Sequence, residues 1–174
     1  MRKGLLLAIG LTLMAAAPAA AKGLQVGDLI PETLGYTPDK TPINRDAFAG
    51  KIIVMTFWAT WCAPCLKELP VLDRVAQLTD DDTLQVLAVN FKQTRFVTKK
   101  VARQLSDSEI VFAHDRKSRL SKAFKVKNIP NLWIIGRDGR VLHNKVGYSE
   151  EALPELVDAI NDALMGKALP NDAR

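Results

Sequence analysis

The apolar residues of this chain alternate between continuous runs and segments with helical spacing. The runs at 51–57, 83–90 and 110–114 predict strands that are buried on both faces. Two later runs, at 131–135 and 140–146, flank the turn sequence GRDG and predict a β-hairpin. The last two predicted strands are therefore neighbours in a sheet.

Segments with an apolar residue at every third or fourth position separate these runs and follow the hairpin. They predict a helix from Ala63, one around Val101, a short one around Leu120 and a final one that ends at Gly166. Pro70 falls inside the first helix and is expected to kink it. The residues expected on the inner faces of the helices are Leu66, Leu69, Leu72, Val75 and Ala76 in the first, Val97, Val101 and Leu105 in the second, and Leu153, Leu156, Val157, Ile160 and Leu164 in the last. Pro64 is expected at the first position of the first helix. Ser149 is expected to be the N-cap of the last helix.

The order of these elements predicts one α/β domain. Strands that alternate with helices form a parallel core, and the hairpin adds antiparallel strands, so we expect a mixed central sheet flanked by helices. The length of 174 residues suits a single domain with its own core. Residues 22–50 contain several prolines and glycines and are predicted to be loop-rich.

The first residues have the composition of a secretory signal peptide. Two basic residues precede an apolar run of 13 residues, and Ala19 and Ala21 fit an A-x-A cleavage pattern. The run is short for a membrane span, which needs about 20 residues, although an uncleaved N-terminal anchor that would bring membrane contact stays open. We therefore expect a signal peptide at 1–21, a mature domain at 22–174, and a location in the oxidising periplasm.

The charge of the mature domain is mildly basic. Without residues 1–21 the chain has 22 basic and 19 acidic residues, a net charge of +3. The basic residues alternate with acidic ones and are not interleaved with aromatic residues, which argues against a nucleic-acid partner. A weak preference for acidic partners stays open. The chain has no excess apolar stretch that would require an obligate interface, so a monomer is expected.

The only two cysteines of the chain, Cys62 and Cys65, lie where a predicted strand gives way to a predicted helix. At a helix N-terminus, unpaired N–H groups and the helix dipole stabilise a negative charge. The pKa of the Cys62 thiol is therefore expected to fall below its usual range, and the thiolate is the nucleophile of disulfide exchange. Cys65, one turn further on, can attack the mixed disulfide that Cys62 forms.

Other interpretations of the cysteine pair remain. A structural zinc site needs four ligands, and beyond this pair the chain offers only His114 and His143, so no metal is expected. A purely structural disulfide is possible, but a loop this small contributes little stability. A pair that arose by chance is the third alternative.

The motif FWATWCAPC, with Pro70 five positions after the second cysteine, resembles the active site of the thioredoxin superfamily. VGDLIP near the start of the mature chain and FAGK before the first long strand resemble its redoxin-type branch. A predicted helix at 94–105, between two strands, is similar to the helix inserted in the TlpA, ResA and CcmG group. The resemblance implies a thioredoxin-like fold with an N-terminal extension and an inserted helix.

The resemblance also implies roles for residues around the cysteines. Pro130 corresponds to a cis-proline beside the two sulfurs, and Ile129 would offer backbone groups to an extended peptide. Glu68 corresponds to an acid that helps to move the proton of Cys65; the alternative is a surface carboxylate in the first turns of a helix. Thioredoxin itself carries a buried Asp in the strand, and this chain has Thr56 there. That departure favours the TlpA-like branch.

The other predicted contacts of the site are aromatic or belong to the motif. Trp61 is expected to form part of the cleft wall, and Ala63 and Pro64 are expected to face the substrate. The Ala63–Pro64 dipeptide is similar to that of reducing members of the superfamily. Trp58 is expected beneath the site, and Trp133 in the core.

The resemblance implies a periplasmic thiol–disulfide oxidoreductase that reduces protein disulfides, as in cytochrome c maturation or copper-site assembly. Cys-containing proteins would be its substrates, a membrane thiol protein would supply electrons, and no bound cofactor is implied. Three rivals stay open: a thiol peroxidase, a disulfide oxidase and a binding module without turnover. The peroxidase pattern PxxxTxxC would need Pro and Thr where the chain has Met55 and Ala59.

Overall fold

A computed structural model describes residues 23–167, so the predicted signal peptide at 1–21 lies outside the described residues. The strands are β1 (Thr33–Tyr36), β2 (Pro42–Asn44), β3 (Ile52–Trp58), β4 (Leu84–Asn90), β5 (Val111–His114), β6 (Asn131–Ile135) and β7 (Val141–Val146). The α-helices are α1 (Ala63–Gln77), α2 (Arg95–Gln104), α3 (Arg119–Ala123) and α4 (Leu153–Leu164), with 3₁₀ turns at Arg45–Phe48 and Arg116–Ser118. Among these described helices, none is long and apolar enough to cross a membrane.

The seven strands form one mixed sheet in the order β2-β1-β5-β4-β3-β6-β7. The strands β3, β4 and β5 run parallel, whereas β6 pairs antiparallel with both β3 and β7. The sheet confirms the predicted α/β class, with a parallel core and an added hairpin. Because the central strands are covered on both sides, their sequences are continuous apolar runs rather than alternating ones.

The sheet separates two apolar clusters. One contains the inner residues of α1 and α4, such as Leu72 and Ile160, together with both cysteines. The other contains residues of β1, Phe57 from β3 and Trp133 from β6. Every residue of β3 is buried, so this strand contributes side chains to both clusters.

Residues 23–50 are mostly loop, as predicted, but two short strands in this stretch were not predicted. This stretch contains β1 and β2, and β1 pairs antiparallel with β5 through Tyr36 and His114. Gly35 takes a φ of 115°, and a Cβ added there would lie 3.1 Å from the Cβ of Ala113. Glycine is needed at this position, both for the left-handed backbone and for the close approach of the two strands.

Several predicted helix positions are also wrong. Leu66, Leu105 and Val157 are 48%, 43% and 41% exposed, although the helical spacing placed them on inner faces. Spacing finds the apolar stripe, but it does not fix the boundary of the buried sector. Ala63 is the first residue of α1, so Pro64 is the second, and the N-cap of α4 is Ala152 rather than Ser149. The predicted helix around Pro70 continues through it as one element.

Two leucines of α1 provide a matched test of this packing. Leu72 is fully buried, whereas Leu66 is half exposed on the same helix. We expect Leu72→Ala to lower the free energy of unfolding by about 2–5 kcal/mol because it leaves a cavity. We expect Leu66→Ala to change it by no more than about 0.5 kcal/mol. Urea unfolding of the oxidised protein measures both values, and equal losses in the two variants would contradict the assignment of faces.

Candidate active site

The two cysteines lie at the start of α1, four residues after β3 ends. Cys62 is the N-cap residue, and its Sγ accepts a hydrogen bond from the backbone N–H of Cys65 at 3.2 Å. The two sulfurs form a disulfide with an S–S distance of 2.04 Å. Cys62 retains 5% of its surface, whereas Cys65 retains none. Of the two sulfurs, the one at the helix N-terminus is therefore the one that an external disulfide can approach.

Glu68 lies one helical turn after Cys65 and is buried, with 2% exposure. Burial raises the pKa of Glu68 to about 7, because the charged carboxylate loses its water, while a hydrogen bond from Thr56 opposes the rise. Thr56 Oγ1 donates that bond to Glu68 Oε2 at 2.7 Å. The alternative of an exposed surface carboxylate is therefore wrong. The carboxyl group sits where residues three apart on a helix are neighbours, next to Cys65.

A small cavity of about 10 Å³ lies beside Glu68 and is also lined by Leu132, Tyr148 and Leu156. A volume of about 10–15 Å³ is the minimum that one water molecule needs. The acid therefore has a narrow space next to it on the side of β7 and α4.

The loop before β6 faces the cysteine loop. The Ile129–Pro130 peptide bond is cis, as the resemblance implied. The pairing of Phe57 with Asn131 sets this loop beside the residues that lead from β3 to Cys62. The carbonyl of Pro130 accepts a hydrogen bond from the N–H of Gly147 at 2.8 Å. Within the described part of the chain the backbone of Ile129 has no hydrogen-bond partner, and its side chain packs against the cluster that holds Cys62.

The remaining predicted site residues surround Cys62 at the surface. Trp61 is 63% exposed, and Ala63 and Pro64 are exposed on the first turn of α1. Trp58 is fully buried in the same cluster as the cysteines, and Trp133 is buried on the other side of the sheet, as predicted for both. The exposed motif residues thus flank Cys62 in the chain, and Ile129 packs against the cluster that contains Cys62.

Sequence reasoning missed a polar clamp behind the cysteine loop. Gln93 Oε1 accepts hydrogen bonds from the backbone N–H of Thr60 at 2.9 Å and from Asn90 Nδ2 at 3.0 Å. Gln93 Nε2 donates to Thr60 Oγ1 at 2.8 Å. Thr60 lies two residues before Cys62, so the clamp fixes the backbone that leads to Cys62. The available signal was the position of Asn90 and Gln93 at the carboxyl end of a parallel strand, where α/β sheets place functional groups.

The two histidines lie apart from the cysteines in the fold. His143 is buried in β7, and burial lowers the pKa of His114 at the end of β5. Between residues 23 and 167, no three His, Cys, Asp or Glu side chains come together in a way that would hold a metal ion.

This fold and this site define a class of protein: the thioredoxin-fold oxidoreductases, which exchange a dithiol for a disulfide. The Redoxin family model matches residues 25–160, and the chain belongs to that family. The match confirms the redoxin-type assignment that the sequence motifs indicated.

Individual relatives agree with this class. The chain is 25% identical over 140 residues to a thiol-disulfide oxidoreductase ResA of Bacillus cereus, covering 80% of each chain. It is 31% identical over 120 residues to the thiol:disulfide interchange protein CycY of Rhizobium leguminosarum bv. viciae, covering 68% of this chain and 63% of that protein. The crystal structure of a thiol:disulfide interchange protein DsbE from Chlorobium tepidum is similar at a TM-score of 0.71 and 26% identity, covering 82% of this chain and 99% of that one. The chain is a redox enzyme of this group.

The clamp predicts that Gln93→Ala will destabilise the protein and slow its reaction. The substitution leaves Asn90 Nδ2 buried without its acceptor, which costs about 1–3 kcal/mol. It also frees the backbone at Thr60, so we expect a lower rate of attack by Cys62. Urea unfolding measures the first effect, and stopped-flow reduction of a small aromatic disulfide measures the second. Gln104→Ala, an exposed change on α2, is the control and should leave both values unchanged.

The raised pKa of Glu68 predicts a pH-dependent loss of stability. The folded protein keeps the proton of Glu68 up to about pH 7, whereas the unfolded chain loses it near pH 4.5. Between these values the folded state binds more protons, so its stability falls as the pH rises and levels off above about pH 7. With about 1.4 kcal/mol for each pH unit, the full loss is on the order of 3 kcal/mol.

Glu68→Gln should remove this pH dependence, because the amide does not ionise. Urea unfolding of the oxidised wild type and of the variant between pH 4 and pH 8 gives the free energy of unfolding of each protein. The difference between the two values should change across that pH range. Glu109→Gln, at an exposed glutamate, is the matched control and should follow the wild type. A constant difference for Glu68→Gln would show that Glu68 titrates normally.

Proposed function

We propose that the protein reduces disulfide bonds of proteins in the periplasm, with Cys62 as the attacking thiol and Cys65 as the resolving thiol. One observation carries the proposal: a sulfur at a helix N-terminus with access to the surface is linked to a fully buried sulfur, next to a buried acid. This arrangement gives each thiol a different task.

Cys62 performs the first step. Its thiolate attacks one sulfur of the substrate disulfide, forms a mixed disulfide and expels the other substrate sulfur as a thiolate. The helix N-terminus favours the thiolate over the thiol, and the N–H of Cys65 donates to that sulfur at 3.2 Å in the disulfide form. This step causes no net oxidation or reduction, because one thiolate and one disulfide are converted into another thiolate and another disulfide.

Cys65 performs the second step after it loses its proton. With a pKa of about 7, the carboxylate of Glu68 accepts a proton at neutral pH without being a permanent buried charge. The sulfur of Cys65 then attacks the sulfur of Cys62, and the second substrate sulfur leaves as a thiolate. Two electrons have passed from the dithiol to the substrate. The enzyme is left as the Cys62–Cys65 disulfide.

Substrate binding is assigned to the surface around Cys62. The unpaired backbone of Ile129 would pair with an extended peptide, as strands pair at a sheet edge. Pro130, Trp61, Ala63 and Pro64 would form the walls of that cleft. An extended segment of a Cys-containing protein fits such a surface better than a folded one, because its backbone groups are free.

The cellular setting of the proposal follows from the sequence. A signal peptide at 1–21 would export the mature domain at 22–174 as a monomer, and a membrane protein with reactive thiols would return the enzyme to the dithiol state. Apocytochrome c before haem attachment and the thiols of copper-delivery proteins are the two substrate classes proposed. The relatives ResA, CycY and DsbE are named for thiol–disulfide chemistry, which supports the reaction class.

The reduction potential of the cysteine pair tests the direction of the reaction. We expect a value near that of thioredoxin, about −270 mV, when the purified protein is equilibrated in dithiothreitol or glutathione buffers. A value near that of a strong periplasmic oxidant, about −120 mV, would instead identify a disulfide donor.

Variants of the two cysteines distinguish an oxidoreductase from a binding module without turnover. Cys65→Ser should accumulate the mixed disulfide with a disulfide-containing peptide, visible by mass spectrometry under non-reducing conditions. Cys62→Ser should form none. Turnover that persists in Cys62→Ser, or peptide binding without any mixed disulfide in Cys65→Ser, would contradict the assigned roles.

A further inference from the structure

A groove of about 390 Å³ lies on the far side of the cis-proline loop from α1. Its floor includes Phe124 and Trp133, which belong to the apolar cluster on the face of the sheet away from the cysteines. Its rim includes Asn128 and Asn131, which flank Ile129 and Pro130. The volume is in the range of about 300–1,000 Å³ that is typical of ligand pockets.

The charged side chains that line the groove are all positive. Lys125 and Lys127 line it, and none of the described residues that line it carries a carboxylate. The nearest carboxylate in sequence on the N-terminal side, Asp28, accepts a hydrogen bond from the backbone of Gln25 at 2.8 Å. The two lysines end a stretch, 116–127, in which every charged side chain is basic and exposed.

The basic side chains of this stretch are not paired with acidic ones in the described part of the chain. It contains Arg116, Lys117, Arg119, Lys122, Lys125 and Lys127. Across residues 23–167, none of these six side chains forms a salt bridge, whereas Arg45, Lys67, Lys99 and Lys145 do. The positive charge of this stretch exceeds the net charge of +3 of the whole mature domain. The excess of basic charge is therefore concentrated in residues 116–127, of which Lys125 and Lys127 line the groove.

The groove also presents hydrogen-bond donors. Asn131 accepts a bond through Oδ1 from Asn144 Nδ2 at 3.0 Å, which leaves the Nδ2 group of Asn131 available. The indole N–H of Trp133 is buried and has no hydrogen-bond partner in the described part of the chain. A buried N–H without an acceptor costs free energy, so an acceptor from a ligand would be favourable there.

One lysine of the groove is held in place by the backbone. A Cβ added to Gly23 would lie 2.7 Å from Cγ and Cδ of Lys125, so only glycine lets the N-terminal segment pack against the stem of this lysine. The backbone N–H of Leu24 also donates to the carbonyl of Ala123 at 3.4 Å. A lysine whose stem is packed loses less side-chain entropy when its ammonium group binds an anion.

We propose that this groove is a subsite for carboxylate side chains of the protein substrate, which bind to Lys125 and Lys127 while the neighbouring disulfide is at Cys62. The inference rests on the proposed function in that the ligand is the substrate itself. Asn131 directly follows Pro130, and the side chain of Ile129 packs against both apolar clusters. An extended peptide advances about 3.3 Å for each residue. A peptide that pairs with Ile129 therefore reaches the groove within a few residues of its cysteine.

Paired peptides test the subsite by kinetics. Two synthetic peptides carry the same disulfide, one flanked by glutamates and the other by glutamines. We expect the reduced enzyme to have a roughly 10-fold higher kcat/KM for the glutamate peptide at low salt, and the preference should shrink as salt screens the charges. The double variant Lys125→Glu, Lys127→Glu should lose or reverse the preference and keep its rate with the glutamine peptide.

The matched control changes the same number of charges elsewhere. Lys100→Glu combined with Arg103→Glu alters two exposed residues of α2 and should retain the preference. An unchanged rate with a small aromatic disulfide shows that each variant is folded. If the wild type reduces both peptides at equal, measurable rates, or if the control variant loses the preference equally, the proposal is overturned.

A binding measurement separates the subsite from the reaction. The glutamate peptide with its cysteines replaced by serine is titrated into the oxidised protein, and the indole N–H signal of Trp133, assigned with Trp133→Phe, is followed by NMR. We expect that signal to shift, and to stop shifting in the double lysine variant. If the shift occurs and neither peptide is reduced, the subsite stands and the proposed reductase function fails.

The opposite outcomes overturn the subsite alone. Reduction of both peptides with no shift of the Trp133 signal would leave the reductase function intact and remove the subsite. A shift caused by vesicles that contain phosphatidylglycerol, with none caused by the acidic peptide, would assign the basic face to a membrane surface instead.

Discussion

The pairing of β3 on both sides is the constraint on which the site depends. Its residues are all buried, and it is bonded in parallel to β4 and antiparallel to β6 along its length. The end of such a strand cannot move without disrupting two ladders and two apolar clusters. The three loops that leave this edge of the sheet carry Cys62, Gln93 and Pro130. A rigid strand thus sets the positions of Cys62, of the clamp on the backbone before it and of the cis-proline loop opposite it.

The pKa of Glu68 near this edge is set by burial rather than by an ion pair. Glu68 has a threonine hydroxyl as its hydrogen-bond partner, and the loss of hydration outweighs that bond in setting its pKa. A basic partner at the same place would hold the carboxylate ionised at all pH values of interest. The pairing with Thr56 instead leaves the acid close to the point where it can both take up and release a proton.

Sequence alone predicted the parts of the structure that depend on local pattern. The continuous run of β3, the helix that starts at the cysteines and the strand pair around GRDG follow from spacing and turn residues. The strand β1 was missed because its pairing joins Tyr36 to His114, far apart along the chain. Leu66 was misplaced because an exposed apolar residue can have the same helical spacing as a core residue. The clamp of Gln93 on Thr60 was not predicted, since polar residues after a strand equally well form a solvated loop.

Glu68 and Cys65 belong to the same helix, and Cys62 is its N-cap residue. In a protein with its acid in the strand, the distance between acid and thiol depends on how the helix is seated on the sheet. Here the spacing of Cys65 and Glu68 is fixed by the helical backbone itself. Small shifts of α1 against the sheet would carry Glu68 and Cys65 together. The separation of Glu68 and Cys65 is therefore independent of how α1 is seated on the sheet.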